Sequence, residues 1–296
     1  MNKPKIIAIV GTTASGKSSL GIDLAKFFDA EVVSADSRQI YKGLDLGTGK
    51  VTPEEIVGVP HHMLDIIEPN TPYSLAEYQK AAYIVIDDIL SRGKLPIIVG
   101  GTGLYTRAII EGYDMDSAKP DFALRKELET KTAAELVDIL KSLGAKTITE
   151  PENPRRLIRQ IEKIKAGKSN VPINNPRYDC LQLGITFDRD ILYKRIEERL
   201  DMRINDGMIE EIKGLLDNGA TPEFMEGLGL EYRYTTRYLL GKYQSFEEYR
   251  AELLKEIRHF AKRQVTWFKK EKDIHWLNEK GNYFEEAKTL IQDFIK

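Results

Sequence analysis

Lys5-Ile6-Ile7-Ala8-Ile9-Val10-Gly11-Thr12-Thr13-Ala14-Ser15-Gly16-Lys17-Ser18 joins an unbroken apolar run to a loop bounded by glycines. Apolar residues in succession, without polar alternation, are the pattern of a parallel strand covered on both faces. After the loop, Leu20, Leu24, Phe27 and Phe28 return at helical spacing, predicting a helix over Ser18–Phe28. Gly11–Ser18 fits G-x-x-x-x-G-K-[ST] at every defined position, and it sits between a strand and a helix as that motif requires. Glycines let the backbone curl until its N–H groups converge, and the helix start adds partial positive charge. Lys17 brings an ammonium for phosphate oxygens, and the Ser18 hydroxyl can join a Mg²⁺ shell. Gly11, Thr12, Thr13, Ala14, Ser15, Gly16, Lys17 and Ser18 are therefore expected to bind a polyphosphate. Motif and spacing do not say which one.

Outward from this loop the chain alternates strands and helices. Strands are expected at Glu31–Ser34, Leu95–Val99 (closed by Gly100-Gly101), Cys180–Phe187 and Ile274–Leu277. Helices are expected at Ser74–Ser91, Arg189–Asn205, Met208–Asn218 and Phe246–Lys272. The rhythm predicts an α/β fold with a doubly wound parallel sheet of the P-loop NTPase kind, whose ligands sit at the carboxyl ends of the strands. Residues 116–175 break the rhythm. They lack strands, read as helices (Phe122–Thr130, Ala133–Leu143, Pro154–Ala166) and are fringed by Pro120, Pro151, Pro154, Pro172 and Pro176. They read as a small helical insertion in a core made of 1–115 and 176–296.

The 296 residues carry 44 Lys+Arg against 46 Asp+Glu, a formal net charge of −2, with 42% hydrophobic residues. That composition excludes collagen-like, disordered and disulfide-stapled classes. A lone cysteine, Cys180, can form neither an internal disulfide nor a cysteine-rich zinc site, and a reducing, cytoplasmic setting is expected. No signal-type h-region and no apolar run of about 20 residues is present, so no membrane span is expected. With four histidines in all, His61-His62 is expected to be structural and not a metal site.

Near-neutral charge hides a segregation. Arg155–Lys168 holds six basic residues against the single acid Glu162, and Arg258–Lys270 holds five with no acid, interleaved with Phe260, Trp267 and Phe268. Either patch alone would read as a solvated helix face. Two of them flanking a phosphate loop point to a nucleic-acid backbone and to salt-sensitive binding. Acid placement is also unusual: Leu95–Val99 ends in Gly100-Gly101-Thr102 and not in the Asp typical of ATPases. Asp36 follows the second strand instead, either as an N-cap for a following helix or as a base beside the bound phosphate. Arg195, Arg199 and Arg203 recur at four-residue intervals on one helix face. They can reach diphosphate or pair with Glu198 and other acids on a wet surface; for Arg203 the surface role is the expectation.

In order along the chain, Gly11–Ser18, Ser34-Ala35-Asp36-Ser37-Arg38-Gln39-Ile40-Tyr41, Gly47-Thr48-Gly49-Lys50 and Pro60–Asp65 resemble the tRNA dimethylallyltransferase (tRNA isopentenyltransferase) family. The resemblance continues through Val99–Tyr105, Asn153–Arg159 and Lys262–Phe268. It implies dimethylallyl diphosphate as donor, Mg²⁺ as cofactor and N6 of the adenosine 3′ of the anticodon as acceptor. It further implies Asp36 as base, with Lys17 and Thr102 also in the catalytic centre. tRNA contacts are implied for the run Asp36, Ser37, Arg38 and Gln39, and for Thr102 and Arg125. Further contacts are expected from Arg155, Arg156 and Arg159 in the insertion, a clamp on the anticodon stem-loop, and from Lys262, Arg263, Gln264 and Trp267. The chain departs from the family at Glu226-Gly227-Leu228-Gly229-Leu230-Glu231-Tyr232, where I-G-Y-[RK]-[EQ] is usual. A monomer is expected. The competing readings are a prenyltransferase for free AMP, which would need no basic patches, a P-loop small-molecule or nucleotide kinase, and a non-catalytic RNA-binding module.

Overall fold

The computed structural model describes residues 3–115, 121–170, 174–278 and 281–296. The chain runs β1 (Lys5–Gly11), α1 (Lys17–Phe28), β2 (Glu31–Ser34), β3 (His61–His62), α2 (Leu75–Ser91), β4 (Pro96–Gly100) and α3 (Gly103–Arg107), the last leading into a π turn at Ala108–Gly112. It continues with α4 (Phe122–Leu128), α5 (Ala133–Ser142), α6 (Pro154–Lys165), β5 (Asp179–Ile185), α7 (Arg189–Asn205) and α8 (Met208–Asp217). The remainder is α9 (Pro222–Leu228), α10 (Leu230–Leu239), α11 (Phe246–Phe268), β6 (Ile274–Trp276) and α12 (Tyr283–Ile295).

The strands pair in the order β3-β2-β4-β1-β5-β6, and each of these neighbouring pairs is parallel. β1 is central, with Ile9 level with Val99 on one side and Leu183 on the other. Its alternate residues feed two cores. Ile6 and Ala8 join Val33, Ile98 and residues of α2, α7 and α11, whereas Ile7 and Ile9 join Val32, Ile97, Leu183, α1 and α12. Burial on both faces is why β1 reads as a solid apolar run. The chain leaves β1, passes β4's position to form β2, returns as β4 beside β1, and later places β5 on β1's other side. That reversal puts a crevice at the carboxyl end of β1.

Residues Met1–Ile110 with Arg177–Lys296 form one compact unit and Glu111–Pro176 a second. The second unit has its own small core of Leu124, Leu128, Leu136, Leu140, Leu157, Ile158 and Ile161. Its helices start on side-chain caps: Asp121, a Thr132/Glu135 capping box, and Asn153 with Pro154 in the first turn. The expected start at Asp116 and the fringing Pro120 and Pro172 lie outside the described residues. Short elements escaped the sequence pattern: two-residue β3, α3, and the pair α9 and α10, with Thr221 capping α9 and Gly229 standing between the two helices. The helix expected to reach Lys272 ends at Phe268, with Lys269 and Lys270 in the turn beyond.

His61 and His62 form β3, paired with β2. Glu31 is 2% exposed at the start of β2, where it accepts two hydrogen bonds from Arg92 and lies 2.8 Å from His62 Nε2. Arg92, despite the cost of burial, holds the Glu31 carboxyl down to about 2. A carboxylate depressed in the folded state stabilises the fold above its unfolded pKa and loses that contribution as pH falls from about 4.5 towards 2. Glu31→Gln is therefore expected to cost about 2–3 kcal/mol at pH 7. In urea unfolding, the gap from the parent should narrow steadily as pH falls below about 4.5 and nearly close at pH 2.

Candidate active site

A cavity of about 760 Å³ opens at the carboxyl ends of β1, β2 and β4. It is lined by the phosphate loop, Asp36–Gln39, Gly47–Gly49 and Gly100–Leu104, by arginines of α7, and by Phe260 to Phe268 of α11. Every part of that wall belongs to the larger unit.

The loop has the form of an anion receptor. Ala14 and Gly16 take left-handed φ values of 60° and 86°, which turn the chain into α1. α1 begins without a side-chain cap and without an acid in its first turn, so its leading N–H groups remain for an external anion. Thr12 Oγ1 and Ser15 Oγ are buried with no hydrogen-bond partner, and buried hydroxyls in a native site call for one. Lys17 Nζ donates to the Thr12 carbonyl at 3.1 Å. Burial first, then the charge of Arg199, lowers its pKa to about 8, against an opposing pull from Asp36.

Gln264 of α11 ties the loop down. Its Oε1 accepts the Thr13 N–H at 2.9 Å and its Nε2 donates to the Gly101 carbonyl at 2.8 Å. With both ends of the amide in use inside the protein, Gln264 joins the phosphate loop to the segment after β4. Nearby, Trp267 covers Gly103, where a Cβ would come within 2.3 Å of the indole, and Arg107 lies 5.5 Å from its ring centre. Lys262 and Arg263 are exposed, and Arg263 reaches the cavity rim. Arg258, counted in the same basic patch, pairs with Glu197 at 2.7 Å and lies over Tyr193.

Asp36 stands just past β2, half-buried, on the cavity wall. No helix follows it. Its Oδ1 instead accepts the Arg38 N–H at 2.9 Å, an Asx turn that holds Ser37 and Arg38 in the wall. Gln39 accepts from the Ser34 hydroxyl at 3.0 Å. Thr102 caps α3 without spending its hydroxyl on the helix, and its side chain lines the cavity.

The α7 arginines form the opposite wall, where the surface expectation for Arg203 fails. Arg203 is 7% exposed, facing Glu231 Oε1 at 3.4 Å and the Gly47 carbonyl at 3.5 Å. Arg199, half-buried beside it, is lowered to about 10, by burial first and then by the Arg203 charge. Arg195 donates to the Ala14 carbonyl at 2.8 Å, and Glu198 lies near Lys194. This wall explains the Gly47-Thr48-Gly49 segment. Gly49 is left-handed at φ 62°, and a Cβ there would fall 1.7 Å from an Arg203 nitrogen; one on Gly47 would enter the Tyr232 ring at 2.6 Å. Glu211 then fixes the loop, accepting from the N–H groups of Asp45, Leu46 and Gly47 and from the Tyr232 hydroxyl. Sequence periodicity gave no sign of Glu211 or Glu231, whose partners are distant in the chain.

The second unit, taken by itself, presents Arg155 exposed and Arg156 paired with Glu150 at 2.9 Å. Arg125 and Arg159 both bind Glu162, whose side chain is 1% exposed. The lone acid of that basic stretch is its hub, so its free positive charge is smaller than the residue count.

The IPP transferase family model matches residues 39–271, and an isopentenyl transferase model matches residues 4–68. The chain belongs to the IPP transferase family. It is 41% identical to the tRNA dimethylallyltransferase of Pelotomaculum thermopropionicum, over 99% of this chain and 96% of that one. It is 39% identical to that of Streptococcus agalactiae, over 100% and 99%. Among solved structures it resembles the full-length tRNA isopentenylpyrophosphate transferase of Bacillus halodurans, with TM-score 0.75 and 37% identity over 99% of this chain and 96% of that one. It also resembles a eukaryotic dimethylallyltransferase captured acting on tRNA, with TM-score 0.84 and 28% identity over 99% and 79%. Among the described residues, no group of three or more His, Cys, Asp or Glu side chains is placed to hold a metal, and no helix is long and apolar enough to cross a membrane.

Proposed function

We propose that this IPP transferase moves the dimethylallyl group of dimethylallyl diphosphate to N6 of the adenosine 3′ of a tRNA anticodon, releasing diphosphate. The observation that carries the reading is one cavity walled on one side by an uncapped helix start with Lys17 and on another by Asp36. In the reaction the C1–O bond of the donor breaks and its electron pair leaves with the diphosphate. The N6–C1 bond forms, and the N6 proton passes to the Asp36 carboxylate. Charge growing on the leaving oxygen is met by loop N–H groups and Lys17, with Arg199 and Arg203 adding to the field. Thr102 faces the target nucleotide, and Leu104, Phe260 and Trp267 exclude water from the allylic carbon.

The donor set fits Mg²⁺ in the manner common at nucleotide sites, with one protein hydroxyl, from Ser18, completed by diphosphate oxygens and water. Bound there, the cation would neutralise diphosphate charge. The acceptor base has to leave its stack to enter a recessed cavity. Exposed Arg263, Lys262 and Arg155 supply backbone contacts for the anticodon stem-loop, with 111–176 acting as the clamp, and the protein works as a cytoplasmic monomer. Arg125 and Arg159 contribute only where a phosphate competes with Glu162.

Labelled donor offered in parallel to an anticodon stem-loop, to AMP and to no acceptor tests this. Label is expected in the stem-loop alone, with transfer falling steeply as salt rises. Label in AMP alone would make the chain a free-nucleotide prenyltransferase. Phosphoryl transfer from ATP in place of a five-carbon unit would make it a kinase.

A further inference from the structure

Pairing of β1 with β4 ends at Val10 opposite Gly100. Beyond that point one segment enters the phosphate loop and the other the Gly101–Thr102 turn, and the side chain of Gln264 bridges the two. Gln264 is 8% exposed; its Oε1 accepts the Thr13 N–H at 2.9 Å and its Nε2 donates to the Gly101 carbonyl at 2.8 Å. One loop offers a donor and the other an acceptor. An amide meets both at once, which a carboxylate, an ammonium or an apolar side chain does not. Gly101 leaves the room for it, since a Cβ there would lie 3.2 Å from Gln264 Nε2 and from Lys17 Nζ.

α11 holds the amide at a fixed height over these loops. Phe268, 2% exposed, packs with Val10 at the end of β1 and with Ile274, and Trp267 lies against them. Phe260, Gln264 and Trp267 follow at helical spacing and all line the cavity. Thr13 belongs to the loop that receives the donor diphosphate in the proposed reaction, and Gly101 precedes Thr102, which faces the target nucleotide. One side chain therefore fixes the donor half of the site against the acceptor half. Its removal leaves the Thr13 N–H and the Gly101 carbonyl without these partners and the two loops free to shift apart.

We propose that Gln264 is a positioning residue for the transfer step: it sets the separation between C1 of the donor and the attacking N6, and adds little to the grip on either substrate. The role rests on the reading of this cavity as a prenyl-transfer site. Attack needs reacting atoms about 3–3.5 Å apart, and a misplacement of about 1 Å can cost about 10²-fold in rate. A slackened register also lets water compete with N6. The water oxygen then bonds to C1, the C1–O bond breaks with its electron pair leaving on the diphosphate, and the water's proton goes to solvent. The product is dimethylallyl alcohol in place of prenylated RNA.

Two variants of the full chain test the role: Gln264→Met, which is similar in length and lacks both hydrogen-bonding functions, and Gln264→Asn, one methylene shorter than the span requires. Single-turnover transfer from labelled dimethylallyl diphosphate to an anticodon stem-loop, with both saturating, is expected to slow by roughly 10–100-fold in each. Donor KM and the calorimetric affinity for pyrophosphate should stay near the parent values, so that the loss falls on kcat. The share of label released as dimethylallyl alcohol should rise. A folded variant that transfers at the parent rate, or whose loss disappears once donor is saturating, would overturn the role. Failure of both variants to fold would also overturn it, because the amide would then serve the fold and not the register. A parent that transfers no label to the stem-loop would instead overturn the prenyl-transfer reading on which the role rests.

Discussion

Asp36→Asn is expected to slow prenyl transfer to an anticodon stem-loop by roughly 10²–10⁴-fold, the range that a positioned general base supplies. The substitution isolates chemistry from architecture. Asp36 builds the wall through one contact, the Arg38 N–H bonded to Oδ1, and an asparagine carbonyl can accept the same bond. The Asx turn, the placement of Arg38 and the thermal midpoint should persist, while the carboxylate that receives the N6 proton is gone. One secondary effect has to be separated. Asp36 raises the Lys17 pKa, so its neutralisation makes Lys17 lose its proton more readily. Donor affinity should therefore be compared at pH 7 or below, where it is expected to change little. Undiminished turnover in this variant would remove Asp36 from the base role, and turnover that fell only in step with donor affinity would make its contribution electrostatic.

The sheet and the phosphate loop were legible because local rules determine them. A strand buried on both faces must be apolar throughout, as Ile6 to Val10 are, and the glycine and lysine positions follow from backbone curl and phosphate charge. Arg189–Asn205 matched α7 at both ends for the same local reason, its 3.6-residue period. Other features depend on partners far along the chain. Two-residue β3 is defined by pairing with β2 and by the contact of His62 with Glu31, neither of which leaves a periodic trace. Arg203 looked like a solvent-facing cation because helical spacing says which residues share a face and not what that face meets. The face meets the Gly47–Gly49 loop, whose glycines become intelligible only once the guanidinium groups above them are seen. Basic-residue counts misled in a related way. Arg125 and Arg159 converge on one buried carboxylate, and Arg258 is spent on Glu197, so the net charge of a segment overstates what it offers to RNA. Gln264 lies in a run of tRNA-contact expectations, yet both ends of its amide are committed to the phosphate loop and Gly101.

Lys17→Met is expected to cost roughly 10²–10³-fold in kcat/KM for the donor, the scale set by removing one preorganised donor from a developing anion. The pH dependence gives a sharper signature than the loss itself. Burial and the neighbouring Arg199 hold the free-enzyme Lys17 at about 8, below its usual 10.5. Between those values the folded chain binds fewer protons at this site than the unfolded chain, so unliganded stability rises with pH across that window. Diphosphate reverses the balance, because an anion against the ammonium favours the charged form. Binding above pH 8 must then draw a proton from solution. Calorimetry of pyrophosphate binding at pH 8.5 in two buffers of different ionisation enthalpy should reveal uptake approaching one proton, with affinity declining as pH climbs further. Lys17→Arg, whose guanidinium keeps its charge throughout this range, should abolish that uptake. Equal heats in both buffers for the parent would show that Lys17 is already fully protonated in the free enzyme, which would require a local field less positive than Arg199 and Arg203 create.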